Sequence, residues 1–292
     1  MRFQVAGDYH ISGLQQEKPD YTKYIVPKEK YLVTVGDIGQ VYIEKVFGLY
    51  EYFAANWEKT FIIMGNAEYE MFWTGLSFTT ETCENLMKQM IASINKALGA
   101  EKLVLIHHGF VDFPEECIRL AGLTLWSNGT NRSRLFTESD LPNDCTLRIV
   151  DDRILYTNPP EVTYELNSKW NATFTVQNTI GKRVSLTMEG LKALQEKEDA
   201  FLSSMIDECN TLNYELILVS HYLPTKKLEN TGVFNKDRFD GDLYDYLARD
   251  KEEIFTPPIK AWICGHVHGK QKLLINNIPI YVNWDTVVTS LK

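Results

Sequence analysis

Four of the six histidines in this 292-residue chain stand in patterns that suit metal coordination. His10 lies two residues after Asp8 in "GDYH", and His266 lies two residues before His268 in "GHVH". Residues two apart in an extended segment project to the same side, so each pair can aim two donor atoms at one point. Three more candidates close apolar runs: Asp37 in "VGDIG", Asn66 in "MGNAE" and His221 in "VSHYLP". Imidazole nitrogen with carboxylate oxygen is a borderline ligand set, suited to Mn, Fe or Zn rather than Ca. Seven such residues exceed the needs of one ion. Two cations ~3.5–4 Å apart that share a carboxylate can clamp both oxygens of a phosphoryl displacement. Taken singly, each pattern has a plainer reading: an Asp-x-His at a strand end, or a lone Gly-Asp or Gly-Asn, is usually a hydrogen-bonded turn.

These residues are scattered from 8 to 268, so the fold must gather them. Residues 2–7, 31–37 and 60–66 read as strands, and the apolar spacing within 39–57 suits an amphipathic helix between the last two. Strand, helix, strand with a polar residue at each strand's carboxyl end is βαβ organisation. A second helix is expected over 81–98 and a third over 187–210. The runs 102–110 and 118–126 read as neighbouring strands of one sheet, 214–224 as a buried strand ending in His221, 259–269 as a strand ending in histidines, and 272–284 as a hairpin turning at Asn-Asn. In an α/β sheet the carboxyl ends of strands line the ligand crevice, which is where all seven candidates fall. Residues 127–180 differ, with proline-punctuated turns between short alternating runs such as "TLRIV" and "ATFTV". The expectation is a single α/β domain over 1–292 with an inserted excursion at about 127–180.

Composition narrows the partners. A chain that is 44% hydrophobic and 24% charged is globular. The five cysteines (Cys83, Cys117, Cys145, Cys209, Cys264) are odd in number and widely spaced, which fits free thiols in a reducing compartment. With no signal-peptide pattern and no apolar run of ~18 residues, a soluble cytoplasmic protein is expected, with no membrane partner. The net charge of −9 disfavours a long nucleic-acid track. It leaves room for a small phosphate ester, because bound divalent cations reverse the local field.

In order, "GDYH", "GDIG", "GNAE", "SHYLP" and "GHVH" resemble the five motif blocks of the calcineurin-like metallophosphoesterase superfamily. That superfamily's pattern is Asp-x-His, Gly-Asp, Gly-Asn-His-Asp/Glu, a lone His, and Gly-His-x-His. The blocks span residues 7–268, nearly the whole chain. The resemblance implies two mostly mixed β-sheets flanked by helices, and two divalent ions (Mn, Fe or Zn, with manganese favoured). It implies one ion on Asp8, His10, Asp37 and His268, and the other on Asp37, Asn66, His221 and His266. It further implies hydrolysis of a phosphate mono- or diester by a hydroxide held between the metals.

The chain departs from that pattern at Ala67. The family's histidine there contacts the substrate phosphate and can protonate the leaving oxygen, and the following acid, here Glu68, orients it. General acid catalysis is typically worth ~10²–10⁴-fold, and alanine supplies none. The resemblance thus implies a catalytically impaired chain. Loss of one side chain among intact neighbours looks like targeted inactivation, with a natural alanine as the alternative. His107 and His108 also close a strand, and His108 is a candidate replacement acid. Lys226, Lys227 and Arg238, in the loop after His221, are candidate substrate-phosphate contacts, and Tyr9 and Tyr69 flank ligand positions. The rival class is a catalytically inactive protein-interaction scaffold of the same fold.

Overall fold

The computed structural model describes residues 1–16, 19–41, 43–69, 79–130, 137, 146–150, 153–157, 162–165, 173–176, 186–227 and 247–288. Three α-helices and fifteen strands are described. The first sheet has the order β15-β1-β2-β3-β4, from Thr286–Val288 (β15), Arg2–Ala6 (β1), Tyr31–Thr34 (β2), Lys59–Ile62 (β3) and Leu103–Leu105 (β4). Its β1, β2, β3 and β4 pair in parallel, and β15 closes the edge antiparallel. The second sheet has the order β13-β14-β12-β11-β6-β5, from Gln271–Ile275 (β13), Ile278–Val282 (β14), Ile259–Cys264 (β12), Glu215–Ser220 (β11), Ile118–Leu123 (β6) and Gly109–Phe113 (β5). Its four inner strands are parallel and both edges antiparallel.

Alternation along the strands explains why the two sheets face each other. In β11, Ile217 and Val219 belong to a core shared with Val5, Val33, Phe61, Leu120 and Ile263 from both sheets, while Leu216 and Leu218 face a second core with the helices. A period of two with both phases apolar is what a strand covered on both faces requires. Helices Glu44–Asn56 (α1) and Thr80–Leu98 (α2) pack on the first sheet, and Met188–Leu212 (α3) on the second. α2 starts where the Thr79 side chain accepts the Thr82 N–H, and it stops at left-handed Gly99. α3 is capped likewise by Thr187 and stopped by Asn213.

The sequence expectation fails in one place that matters for the site. Residues 102–110 are not one strand beside 118–126. The chain leaves the first sheet after β4 and enters the second as β5, crossing at His107 and His108. His108 adopts φ 49° and its N–H bonds to the Gly122 carbonyl, which turns the chain from one sheet to the other. Gly122 permits the approach, since a Cβ there would collide with the Ile63 side chain and stand 2.9 Å from the Ile106 carbonyl oxygen.

Within the expected excursion, Thr146–Val150 (β7), Arg153–Thr157 (β8), Val162–Glu165 (β9) and Thr173–Val176 (β10) form an antiparallel meander of their own, in the order β10-β9-β8-β7. Among the described residues, no helix is long and apolar enough to cross a membrane.

Candidate metal centre

Five of the parallel strands deliver the candidate residues. Asp8 and His10 follow β1, Asp37 follows β2, Asn66 follows β3, His221 follows β11, and His266 and His268 follow β12. Asn283 follows β14. All seven sequence-selected residues come together, in two adjoining groups.

The inner group is Asp37, His221 and His266, all buried. Nε2 of His221 lies 2.9 Å from Asn66 Oδ1, 3.0 Å from His266 Nδ1 and 3.3 Å from Asp37 Oδ1. The other ring nitrogen, Nδ1, is 2.9 Å from the Val35 carbonyl oxygen. A carbonyl only accepts, so Nδ1 keeps a proton, and Nε2 is the nitrogen left to face the group and to ligate once its own proton is lost. The outer group is Asp8, His10 and His268, half-buried to exposed. The Nε2 atoms of His10 and His268 stand 3.4 Å apart. Asp37 joins the two groups, with Oδ2 3.5 Å from His10 Nε2 and Oδ1 toward His221.

Backbone strain concentrates here. Asp8, His10, Asp37 and His266 all have φ between 45° and 66°, the left-handed region that non-glycine residues rarely occupy. Such strain gathers where side chains must be aimed against local preference. Gly65 gives the loops room: a Cβ on it would strike Asp37 Oδ1 and lie 2.7 Å from His221 Nδ1.

Glu68, expected to orient a histidine at position 67, has no imidazole there to orient and serves the backbone instead. It is fully buried, and its carboxylate accepts the N–H groups of Asp37 (2.9 Å), Ile38 (2.8 Å), Gly39 (3.4 Å) and Gly65 (2.7 Å). It therefore ties the loop carrying Asp37 to the loop carrying Asn66. Ala67, 1% exposed, donates its backbone N–H to Asp37 Oδ1 at 2.7 Å.

The charges respond to this crowding. Burial opposes a charge on His221, but Asp37 and Asp8 outweigh it and push the ring up to about 9. Burial also raises Asp37, yet His221, His10 and His266 hold it well below the usual carboxylate range. Burial, then the Asp37 charge, raises Asp8 against the pull of His221. Burial and Asp37 push Glu68 up to about 7, against His221 and the Gly65 and Asp37 amides. His266 is held neutral by burial and by His221. The carboxylates thus set up a negative field that favours a proton on His221 and would equally favour divalent cations in its place.

The weaker sequence candidates fall elsewhere. His108 is not in either group. Its Nδ1 is 3.9 Å from Glu84 and its Nε2 3.8 Å from Glu198, and its ring meets Phe201 of α3 edge-on. The cause is the sheet change at 107–108, which turns the side chain toward α2 and α3. Lys227 pairs with Glu252, which also accepts from Thr225 at 2.5 Å. Lys226 is half-buried beside it, and Arg238 lies outside the described residues. Tyr9 packs on Tyr24, and Tyr69 on His107 and Trp126.

Two residues escaped sequence reading. Asn283 donates to Asp8 Oδ2 at 2.7 Å and to the Val267 carbonyl at 2.6 Å. Glu198, fully buried on α3, accepts the Leu125 and Trp126 N–H groups at 2.6 and 2.8 Å. Its signal was present: it occupies the apolar stripe Leu191, Leu194, Leu202, Met205, Cys209 at a core position.

Two mixed sheets flanked by helices, with Asp, Asn and His loops at the strand ends, form the sandwich of the calcineurin-like metallophosphoesterase type. The solved phosphopantetheinyl hydrolase from Mycobacterium tuberculosis superposes with a TM-score of 0.59 at 10% identity, covering 96% of this chain and 87% of that one. An uncharacterised protein of Acanthamoeba polyphaga mimivirus, L509, is 20% identical over 255 residues, covering 87% of this chain and 77% of the viral protein. No family model matches the sequence.

Proposed function

We propose that the chain is a dinuclear metal-dependent phosphoesterase that hydrolyses a phosphate mono- or diester of small or nucleotide-like size. Asp8, His10, Asp37 and His268 would hold one cation, and Asp37, Asn66, His221 and His266 the other, with manganese favoured over iron or zinc. Bound there, the ions supply Lewis-acid stabilisation of the phosphoryl group and acidify a water at neutral pH. The observation that carries the reading is His221, whose Nδ1 proton is committed to Val35 while its Nε2 meets Asn66, His266 and Asp37 within 3.3 Å.

The chain's own residues divide the remaining work. The Val35 carbonyl fixes the His221 tautomer, as the outer hydrogen bond of a ligating histidine commonly does. Glu68 fixes the Asp37 loop. Asp37, shared by both groups, keeps its negative charge through its three histidine neighbours. At position 67 a methyl group offers no proton to the leaving oxygen, so the chain is impaired in the general-acid step. The same reading takes 1–292 as one domain with an insertion at about 127–180, working in the cytoplasm.

Ala67 also favours a second reading, an inactive protein-interaction scaffold of this fold, although such a scaffold has no use for seven converging donors. Replacing Ala67→His and assaying a chromogenic phosphodiester with Mn²⁺ separates them. The enzyme reading expects a rate gain of ~10²–10⁴-fold. An Ala67→His protein with no turnover at all would favour the scaffold.

A further inference from the structure

We infer that Asn283 is a positioning residue that selectively tunes the outer cation site through Asp8. This rests on Asp8 being a ligand, as proposed above. Asn283 stands immediately after β14, in the left-handed region at φ 45°, a conformation asparagine tolerates better than most residues. Its N–H bonds to the Cys264 carbonyl at 2.9 Å. Its side-chain amide points back across the strand ends. Nδ2 lies 2.7 Å from Asp8 Oδ2 and 2.6 Å from the Val267 carbonyl oxygen, so each amide hydrogen has an acceptor. Asp8 Oδ1 is held from the other side by the His266 N–H at 3.1 Å.

One side chain therefore joins three segments: the loop of Asp8, the loop of His266 and His268, and the end of β14. Only a donor with two hydrogens can do so. Asp8 stands beside buried Asp37, and a neutral donor on Oδ2, with the His266 N–H on Oδ1, fixes the orientation of its carboxylate. Aspartate has the same shape as asparagine but would set a third carboxylate against Asp8 and the Val267 carbonyl. The inner group meets this network only through the backbone of His266; His221 is anchored by Val35, and the Asn66 side chain bonds to His221.

The test is calorimetric titration of Mn²⁺ into wild-type, Asn283→Asp and Asn283→Ser protein, with thermal unfolding of each metal-free form as a folding control. Outer-shell partners of metal ligands are typically worth 10–100-fold in affinity. Asn283→Asp is expected to weaken one of two binding events by about that factor and the other by markedly less. Asn283→Ser, which keeps a single hydroxyl donor, is expected to fall between. Equal weakening of both events, in step with a lowered unfolding temperature, would make Asn283 merely structural and overturn the inference. Two unchanged events in both variants would overturn it as well. Failure of the wild-type protein to bind two equivalents would instead defeat the dinuclear reading.

Discussion

Two clusters of histidine and carboxylate lie on either side of the loop 64–69, and only one is arranged like a metal site. Both pass a simple proximity test: Asp37, His221 and His266 converge, and so do Glu84, His107 and His108. The difference lies in what the back of each ring meets. His221 Nδ1 keeps its proton on a carbonyl, so loss of the Nε2 proton turns a lone pair toward the cluster. His107 Nδ1 faces the Met64 N–H at 3.4 Å, which keeps the neutral ring's proton on Nε2, toward the Tyr69 hydroxyl at 2.8 Å. A cation would have to displace that proton and leave the ring without a carbonyl behind it. The charges point the same way. His221 is raised by two aspartates, whereas His107 is pushed well below its usual range by burial, then by His108, Lys197 and Lys88. Ligand-type residues in proximity do not make a metal site unless the tautomer and the surrounding charge agree.

The strongest challenge to the first cluster is Glu68→Gln. The amide replaces one carboxylate oxygen and turns an NH₂ toward two buried backbone N–H groups. Each unsatisfied donor costs ~1–3 kcal/mol, so a loss of about 2–4 kcal/mol in urea unfolding is expected. A loss below about 0.5 kcal/mol would show that the Asp37 loop holds its shape without Glu68, and that its preorganisation has another source.

A smaller effect sharpens the second cluster. The pKa of His107 is lowered in the folded protein, so below its unfolded value of ~6.5 the unfolded chain binds the extra proton and the folded one does not. Stability must therefore fall as pH drops below ~6.5, by up to ~1.4 kcal/mol per pH unit for this group. His107→Gln removes that contribution. Between pH 7.5 and 5.5 the wild type should lose about 1 kcal/mol more than the variant in urea unfolding. Equal losses would mean that His107 titrates normally, and the contrast with His221 would weaken.

Much of this was legible in the sequence because parallel strands put chemistry in a simple place. Asp8, Asp37, Asn66, His221 and His266 each follow an apolar run within four residues of a strand's end, so finding the strands finds the candidates. The three helices were legible because their apolar spacing matches a helical face packed on a sheet. The sheet change at His107 and His108 was not, because "KLVLIHHGF" reads as one continuous strand, and the turn depends on a left-handed histidine and on close packing at Gly122. Nor was the task of Glu68. A motif suggests a side-chain partner, and only coordinates reveal that four backbone amides claim its carboxylate. Asn283 was hidden for a related reason: an asparagine in a polar turn is unremarkable until its amide is seen against Asp8, far away in sequence.

The most direct test of the contrast is metal stoichiometry. Metal-free protein, wild type and the Glu84→Gln/His108→Ala double variant, would be titrated with Mn²⁺ and the bound metal counted after gel filtration. Two equivalents in both proteins is the predicted result, with both cations at the first cluster and none at the second. Three equivalents in the wild type falling to two in the double variant, or no bound metal in either, would contradict it.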